Sequence, residues 1–155
     1  MPCAIHYEFT QKFNVTARKA FAWCVDYRSN DMALMQEENA TRSVQRIADY
    51  IVILTDTFVV EGKNVEKQKL VCVYPERLMW TSTHLTGPYR HSQFLYEITA
   101  QTAEKSQLKF TALSLDYQIE NEEEAKERGE DLRKMDSETW KLLAREMEKE
   151  LGKRQ

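Results

Sequence analysis

DSETWKLLAREMEKEL, Asp136 to Leu151, carries its apolar residues at helical spacing. Trp140, Leu143, Ala144, Met147 and Leu151 recur at intervals of three and four, which puts them on one stripe of a 3.6-period helix. Lys141, Arg145, Glu146, Glu148, Lys149 and Glu150 fill the positions between them and face water. An isolated helix of this length is marginal, so the stripe requires a wide apolar surface to lie on. The rest of the chain reads mostly as strands, which makes that surface one face of a sheet.

Working back from this helix, the preceding segment Glu120 to Arg133 is charged. Glu122, Glu123 and Glu124 suit a helix N-terminus, while Gly129 leaves one helix or two open. Before it come six strand-like segments: Ala40–Ala48, Tyr50–Glu61, Asn64–Tyr74, Arg77–Leu85, Tyr89–Gln101 and Ser106–Ile119. Gly62-Lys63, Pro75-Glu76, Thr86-Gly87-Pro88 and the polar run Thr102 to Lys105 separate them with turn chemistry. At the start, Ile5, Tyr7, Phe9 and Phe13 mark a half-buried strand with His6, Glu8, Thr10 and Lys12 outward. Thr16 then caps a short helix, Ala17 to Asp26, and Met32 to Met35 suits a second one. Strands joined in sequence by tight turns are antiparallel. The expectation is an α+β helix-grip domain over residues 1–155. A seven-stranded curved antiparallel sheet wraps around one long C-terminal helix, with one or two short helices after the first strand.

Composition narrows the function. The 155 residues are 42% hydrophobic and 30% charged, which is globular and not disordered. A net charge of −3 and the lack of any basic run point away from nucleic acid. No apolar stretch approaches membrane-span length, and the alternating N-terminus is not a signal peptide, so stable membrane insertion is not expected. Cys3, Cys24 and Cys72 are odd in number and far apart, as suits reduced thiols in a cytoplasmic protein.

Pairing the strands through two-residue turns at Gly62-Lys63 and Pro75-Glu76, and a turn centred on Gly87, sets a register. It places Phe58 opposite Lys67, Asp56 opposite Lys69, Val71 opposite Trp80 and Trp80 opposite Phe94. One face then collects Val52, Leu54, Phe58, Val60, Val71, Val73, Leu78, Trp80, Phe94, Tyr96 and Ile98. The other collects Thr55, Thr57, Glu66, Gln68, Thr81, Thr83, His91, Gln93, Glu97 and Thr99. The first face meets the helix. The last strand is mixed on both faces and predicts a bulge or bend. Asp56, Lys69, Ser82 and Ser92 fall in one inner row with His84 and Lys67 one row over. That row is either a partly solvated end of the sheet or a polar floor in an apolar cavity, where a ligand headgroup would partner it. Trp80, Phe94 and Tyr96 are either plain core or the walls of such a cavity. His84 and His91 are predicted on opposite faces, so no metal site is expected.

The opening strand with Ala17-Arg-Lys-Ala-Phe-Ala-Trp23, the Tyr27-Arg28 turn, Tyr74-Pro-Glu-Arg-Leu-Met-Trp80 and Asp136-Ser-Glu-Thr-Trp140 together resemble the SRPBCC superfamily. This is the helix-grip fold of START lipid-transfer domains, the birch pollen allergen and polyketide cyclase/dehydrase-like proteins. The resemblance implies a hydrophobic small molecule held between sheet and helix, and it supplies no catalytic motif and no cofactor. The inner sheet face and the helix stripe read above supply the candidate ligand-facing set: Asp56, Phe58, Lys69, Trp80, His84, Phe94 and Tyr96 from the sheet, with Leu143 and Met147 from the helix. The leading expectation is a binding or transport protein and not an enzyme. The alternatives are a cyclase/dehydrase-like enzyme using His84, Tyr96 or the Asp56/Lys69 pair, and an Hsp90-activator-like interaction module. The sequence leaves the oligomeric state open.

Overall fold

Period-two alternation along Cys3–Phe13 forms β1, with Ile5, Tyr7 and Phe13 buried and His6, Glu8 and Thr10 exposed. The computed structural model describes residues 1–35 and 37–152. After β1 come α1 (Ala17–Val25), α2 (Asp31–Leu34), β2 (Ala40–Ala48), β3 (Ile51–Val60) and β4 (Lys63–Tyr74). A 3-10 turn (Pro75–Arg77), β5 (Met79–His84), β6 (Gln93–Ala100), β7 (Ser106–Asp116) and α3 (Glu122–Gly152) complete the chain. The seven strands form one antiparallel sheet in the order β1-β7-β6-β5-β4-β3-β2. It is the α+β helix-grip arrangement expected from the sequence.

Thr16 caps α1 by accepting a hydrogen bond from the Lys19 amide at 3.3 Å. α3 is one helix and begins well before Asp136. Asn121 Oδ1 accepts from the Glu124 amide at 2.9 Å, and Glu122, Glu123 and Glu124 occupy the first turn, where the helix dipole favours carboxylates. Gly129 does not break this helix. It lets the helix lie tight on β1, because a Cβ there would meet Ile5 Cγ2 at 3.0 Å. Farther along, Ala144 and Met147 are buried against Phe13, Phe21, Val52, Leu54, Val71 and Trp80. No helix among the described residues is long and apolar enough to cross a membrane.

The predicted register needs correction at every hairpin. The β3–β4 turn is Glu61-Gly62, with φ of 51° and 75°, not Gly62-Lys63. Positive φ at both central positions matches a type I′ hairpin. Phe58 therefore pairs with Val65, and Asp56 with Lys67. At the next turn the chain uses a 3-10 turn and a left-handed Leu78, and Val71 pairs with Ser82. Trp80 then pairs with Tyr96 and Ser82 with Phe94. Each correction is two residues. Side-chain direction repeats every two, so every inner residue keeps its face. The single polar row does not survive: Asp56, Lys69 and Ser82 lie in successive rows, and Ser92 leaves the row for the loop before β6. The expected bulge is also absent from β7, which pairs regularly on both sides. The irregularity sits in edge strand β2, between Arg46 and Ala48, where an edge tolerates an unpaired residue.

Candidate functional site

A cavity of about 360 Å³ lies between the inner face of the sheet, α3 and the α1–α2 segment. The register explains it. One row of the sheet runs Val73, Trp80, Tyr96, Phe110 and Phe9, bulky throughout. The next runs Val71, Ser82, Phe94, Ala112 and Tyr7, where Ser82 and Ala112 flank Phe94 with little volume. Beyond it, Lys69 pairs with His84, and Ser114 with Ile5. Small and polar side chains beside a bulky row leave the helix standing off the sheet.

The apolar wall is aromatic. Trp80 and Tyr96 stack at 4.8 Å with 3° between their planes, and Trp140 of α3 tilts against them at 6.4 and 5.9 Å. Phe110 meets Tyr96 edge-on at 5.1 Å and Phe94 at 5.8 Å. From α3, Leu132, Met135, Asp136, Thr139, Trp140 and Leu143 face the space, and Trp23, Tyr27, Leu34 and Met35 close it from the α1–α2 segment.

The polar groups form two clusters. In the first, Tyr7 Oη donates to Asp136 Oδ2 at 2.5 Å. Burial raises the Asp136 pKa, against the opposing pull of the Tyr7 hydrogen bond and the Lys69 charge. Burial beside Asp136 also holds the Tyr7 phenol well above its ordinary range. The second cluster crosses from α3 to the sheet. Glu150 accepts from Arg28 at 3.1 and 3.3 Å and from Trp23 Nε1 at 2.9 Å. Asp31 accepts from the Arg28 amide at 3.0 Å and from Arg42 Nη1 at 3.2 Å. Arg42 grips Asp56 with Nε at 2.7 Å and Nη2 at 2.9 Å, and Lys69 Nζ stands 3.5 Å from the same carboxylate. Burial opposes the charge on Asp56, but Arg42's hydrogen bonds and the Lys69 and Arg42 charges outweigh it and lower its pKa. For Lys69 the balance reverses: burial outweighs Asp56 and lowers the pKa. Burial, with Lys69 and Lys67 adding to it, pushes His84 down to about 3, so the ring is neutral near pH 7. Burial alone raises the Cys24 thiol, which leaves it unreactive.

Six of the residues expected from the sequence line the cavity: Lys69, Trp80, His84, Phe94, Tyr96 and Leu143. Three do not. Asp56 is 0% exposed, covered by Arg42 and Lys69. Phe58 lies outside with Lys67 Nζ 5.0 Å over its ring. Met147 is sealed in the core beside Ala144. The His91 backbone amide donates to the His84 carbonyl at 2.6 Å, but its side chain is exposed and hydrogen-bonded with Tyr117 Oη at 3.0 Å. The sequence reading missed Tyr7, Arg42 and Asp136. Asp136 had a signal: it sits four before Trp140, a carboxylate on the apolar stripe. So had Tyr7, an inward phenol that needs a partner.

The fold has close counterparts among solved structures. The ZhuI aromatase/cyclase of Streptomyces sp. R1128 superposes with a TM-score of 0.77 at 15% identity, with 96% of each chain covered. Norcoclaurine synthase from Thalictrum flavum, in complex with dopamine and hydroxybenzaldehyde, matches with a TM-score of 0.74 at 10% identity, covering 99% of this chain and 90% of its own. A START superfamily protein from Mycobacterium smegmatis matches at 0.67 and 11% identity, covering 97% of this chain and 99% of its own. These likenesses show the SRPBCC fold. No protein-family model and no curated protein matches the sequence.

Proposed function

We propose that this protein binds an apolar small molecule, aromatic or lipid-like, in the cavity between sheet and α3, as a cytoplasmic carrier, sensor or sequestering protein. The observation that carries this reading is the 360 Å³ space beside the stacked Trp80–Tyr96 pair, bordered by Phe94 and closed by Trp140. An apolar cavity with a few convergent polar groups is the usual form of a small-molecule site. The neighbours support it at the level of fold, one of them bound to two small aromatic compounds. A cavity closed by bulky side chains would favour the interaction-module reading, whereas open space with apolar walls supports the binding one. The test uses 2-acetylnaphthalene, a neutral probe, followed by quenching of Trp fluorescence. The parent protein should bind it, and Phe94→Ala should weaken binding at least tenfold while unfolding remains cooperative. Failure of the parent to bind, with Phe94→Ala costing about 3–5 kcal/mol of stability, would show that these rings are core.

One observation favours a second reading, proton transfer on the bound molecule. Asp136 faces the cavity beside Tyr7, and burial raises its pKa, so its carboxylate takes up a proton more readily than an exposed one. The Asp136 carboxylate would remove a proton α to a ligand carbonyl and return it, with Tyr7 orienting the carboxyl group. Exchange of the α-hydrogens of 2-tetralone in D2O, followed by NMR, measures this directly. The parent should accelerate exchange and Asp136→Asn should not. Equal rates for the two proteins would remove the acid–base reading and leave the binding one.

A further inference from the structure

We propose that the cavity selects amphipathic anions: a flat apolar body against Trp80 and Phe94, with a carboxylate placed at Lys69 and Lys67. This inference rests on the binding reading above and names the ligand class for the same site. The charges at this end do not balance. Arg28 is answered by Glu150 at 3.1 Å. Arg42 commits Nε and Nη2 to Asp56 and Nη1 to Asp31. Lys69 shares Asp56 at 3.5 Å, a longer contact than either of Arg42's. Lys67 has no carboxylate partner among the described residues and stands over the Phe58 ring. Arg42, Lys67 and Lys69 are thus three cations against two carboxylates, Asp31 and Asp56, and Arg28 draws on Asp31 as well at 3.8 Å. The remaining cavity carboxylate, Asp136 on α3, is hydrogen-bonded by Tyr7; it feels the Lys69 charge but makes no ion pair with it.

Both lysines line the cavity, and the geometry joins them to its aromatic wall. Lys69 is the cross-strand partner of His84, and the His84 ring lies 4.8 Å from Phe94. Ser82, two residues from His84 on the same face, adds a hydroxyl at the junction. A neutral imidazole and a hydroxyl can each donate one hydrogen bond to an anionic oxygen without competing for the lysine charge. A carboxylate here would complete the charge balance in partly buried surroundings, where charge-assisted hydrogen bonds are strong. A neutral ligand of the same shape would still bind the aromatic wall but would leave Lys69 partly desolvated for no return, so the cavity holds it more weakly than the anion.

The experiment compares 2-naphthoate with 2-naphthamide, near-isosteres that differ in charge, by isothermal titration at pH 7.5. For the parent, naphthoate should bind at least tenfold more tightly than naphthamide. Lys69→Met and, separately, Lys67→Met should each shrink that preference severalfold, with the loss falling on naphthoate. Lys67 makes no ion pair among the described residues, so its variant serves as the check should Lys69→Met fold poorly. Equal affinities for the two probes, or a preference for the amide, would overturn the anion inference while the binding reading stands. Binding of neither probe would overturn both. A preference for naphthoate that neither substitution reduces would also overturn the inference, since the lysines would not be its source.

Discussion

Arg42→Met is expected to lower folding stability by about 3–5 kcal/mol, the range for removing one partner of a buried ion pair. Asp56 is 0% exposed, and two of its hydrogen bonds, at 2.7 and 2.9 Å, come from Arg42. Without the guanidinium, only Lys69 at 3.5 Å remains to compensate a carboxylate that water does not reach. Asp31 loses a partner as well, which loosens the tie between the α1–α2 segment and β2. Urea denaturation at pH 7 measures the effect. Adding Asp56→Leu to Arg42→Met should recover most of the loss, because it is the orphaned charge and not the missing pair that costs stability. An unchanged midpoint for Arg42→Met would show that water reaches Asp56.

The second large effect depends on pH. Folding depresses the His84 pKa from 6.5 to about 3, with burial the leading cause and Lys69 and Lys67 adding to it. As pH falls, the unfolded chain takes up this proton before the folded one. The stability that neutral His84 contributes is therefore complete above about pH 6.5 and is lost progressively towards pH 3. One proton is worth about 1.36 kcal/mol per pH unit, so between pH 6.5 and 4 the loss reaches up to about 3 kcal/mol. The measurement is the difference in stability between the parent and His84→Gln across that range. Asp136 acts with the opposite sign: its pKa is raised in the folded state, so its contribution declines as pH rises out of the ordinary carboxylate range. It is present in both proteins and cancels in the difference. Parallel curves for the two proteins would mean that His84 titrates normally and that the cavity end is wet.

Local chemistry made most of the architecture legible. The Trp140–Leu151 stripe identified the gripping helix, and alternation in Ile51–Val60 and Met79–His84 identified strands. Inner and outer faces were readable even though the pairing of β3 with β4, β4 with β5 and β5 with β6 was off by two residues at each turn. A face is a property of parity along one strand, while a register depends on turn conformation. Glu61 adopting positive φ carries little signal in a residue that so seldom does. The continuity of α3 was obscured because Gly129 interrupts a first half that is nearly all charged, and what holds it is the close approach of Gly129 to Ile5 on β1.

The site divides along the same line. Trp80, His84, Phe94, Tyr96, Lys69 and Leu143 were legible as inward residues because period two and period 3.6 need no knowledge of neighbours. Whether they enclose a space or fill it was not. That depended on Ser82 and Ala112 landing beside Phe94 in a row assembled from three different hairpins and the β1–β7 pair. The fate of Asp56 was settled by Arg42, from an edge strand whose residues show only weak alternation. Asp136 acquired its raised pKa from burial in the folded protein, which outweighs the hydrogen bond it accepts from Tyr7 at the other end of the chain. By itself, then, the sequence determined the elements, their order and the direction of each side chain, which follow from backbone geometry and the burial of apolar area. Only the tertiary structure decided which charges are paired and where volume is missing, because both are set by residues far apart in the chain that come together when the sheet closes on the helix.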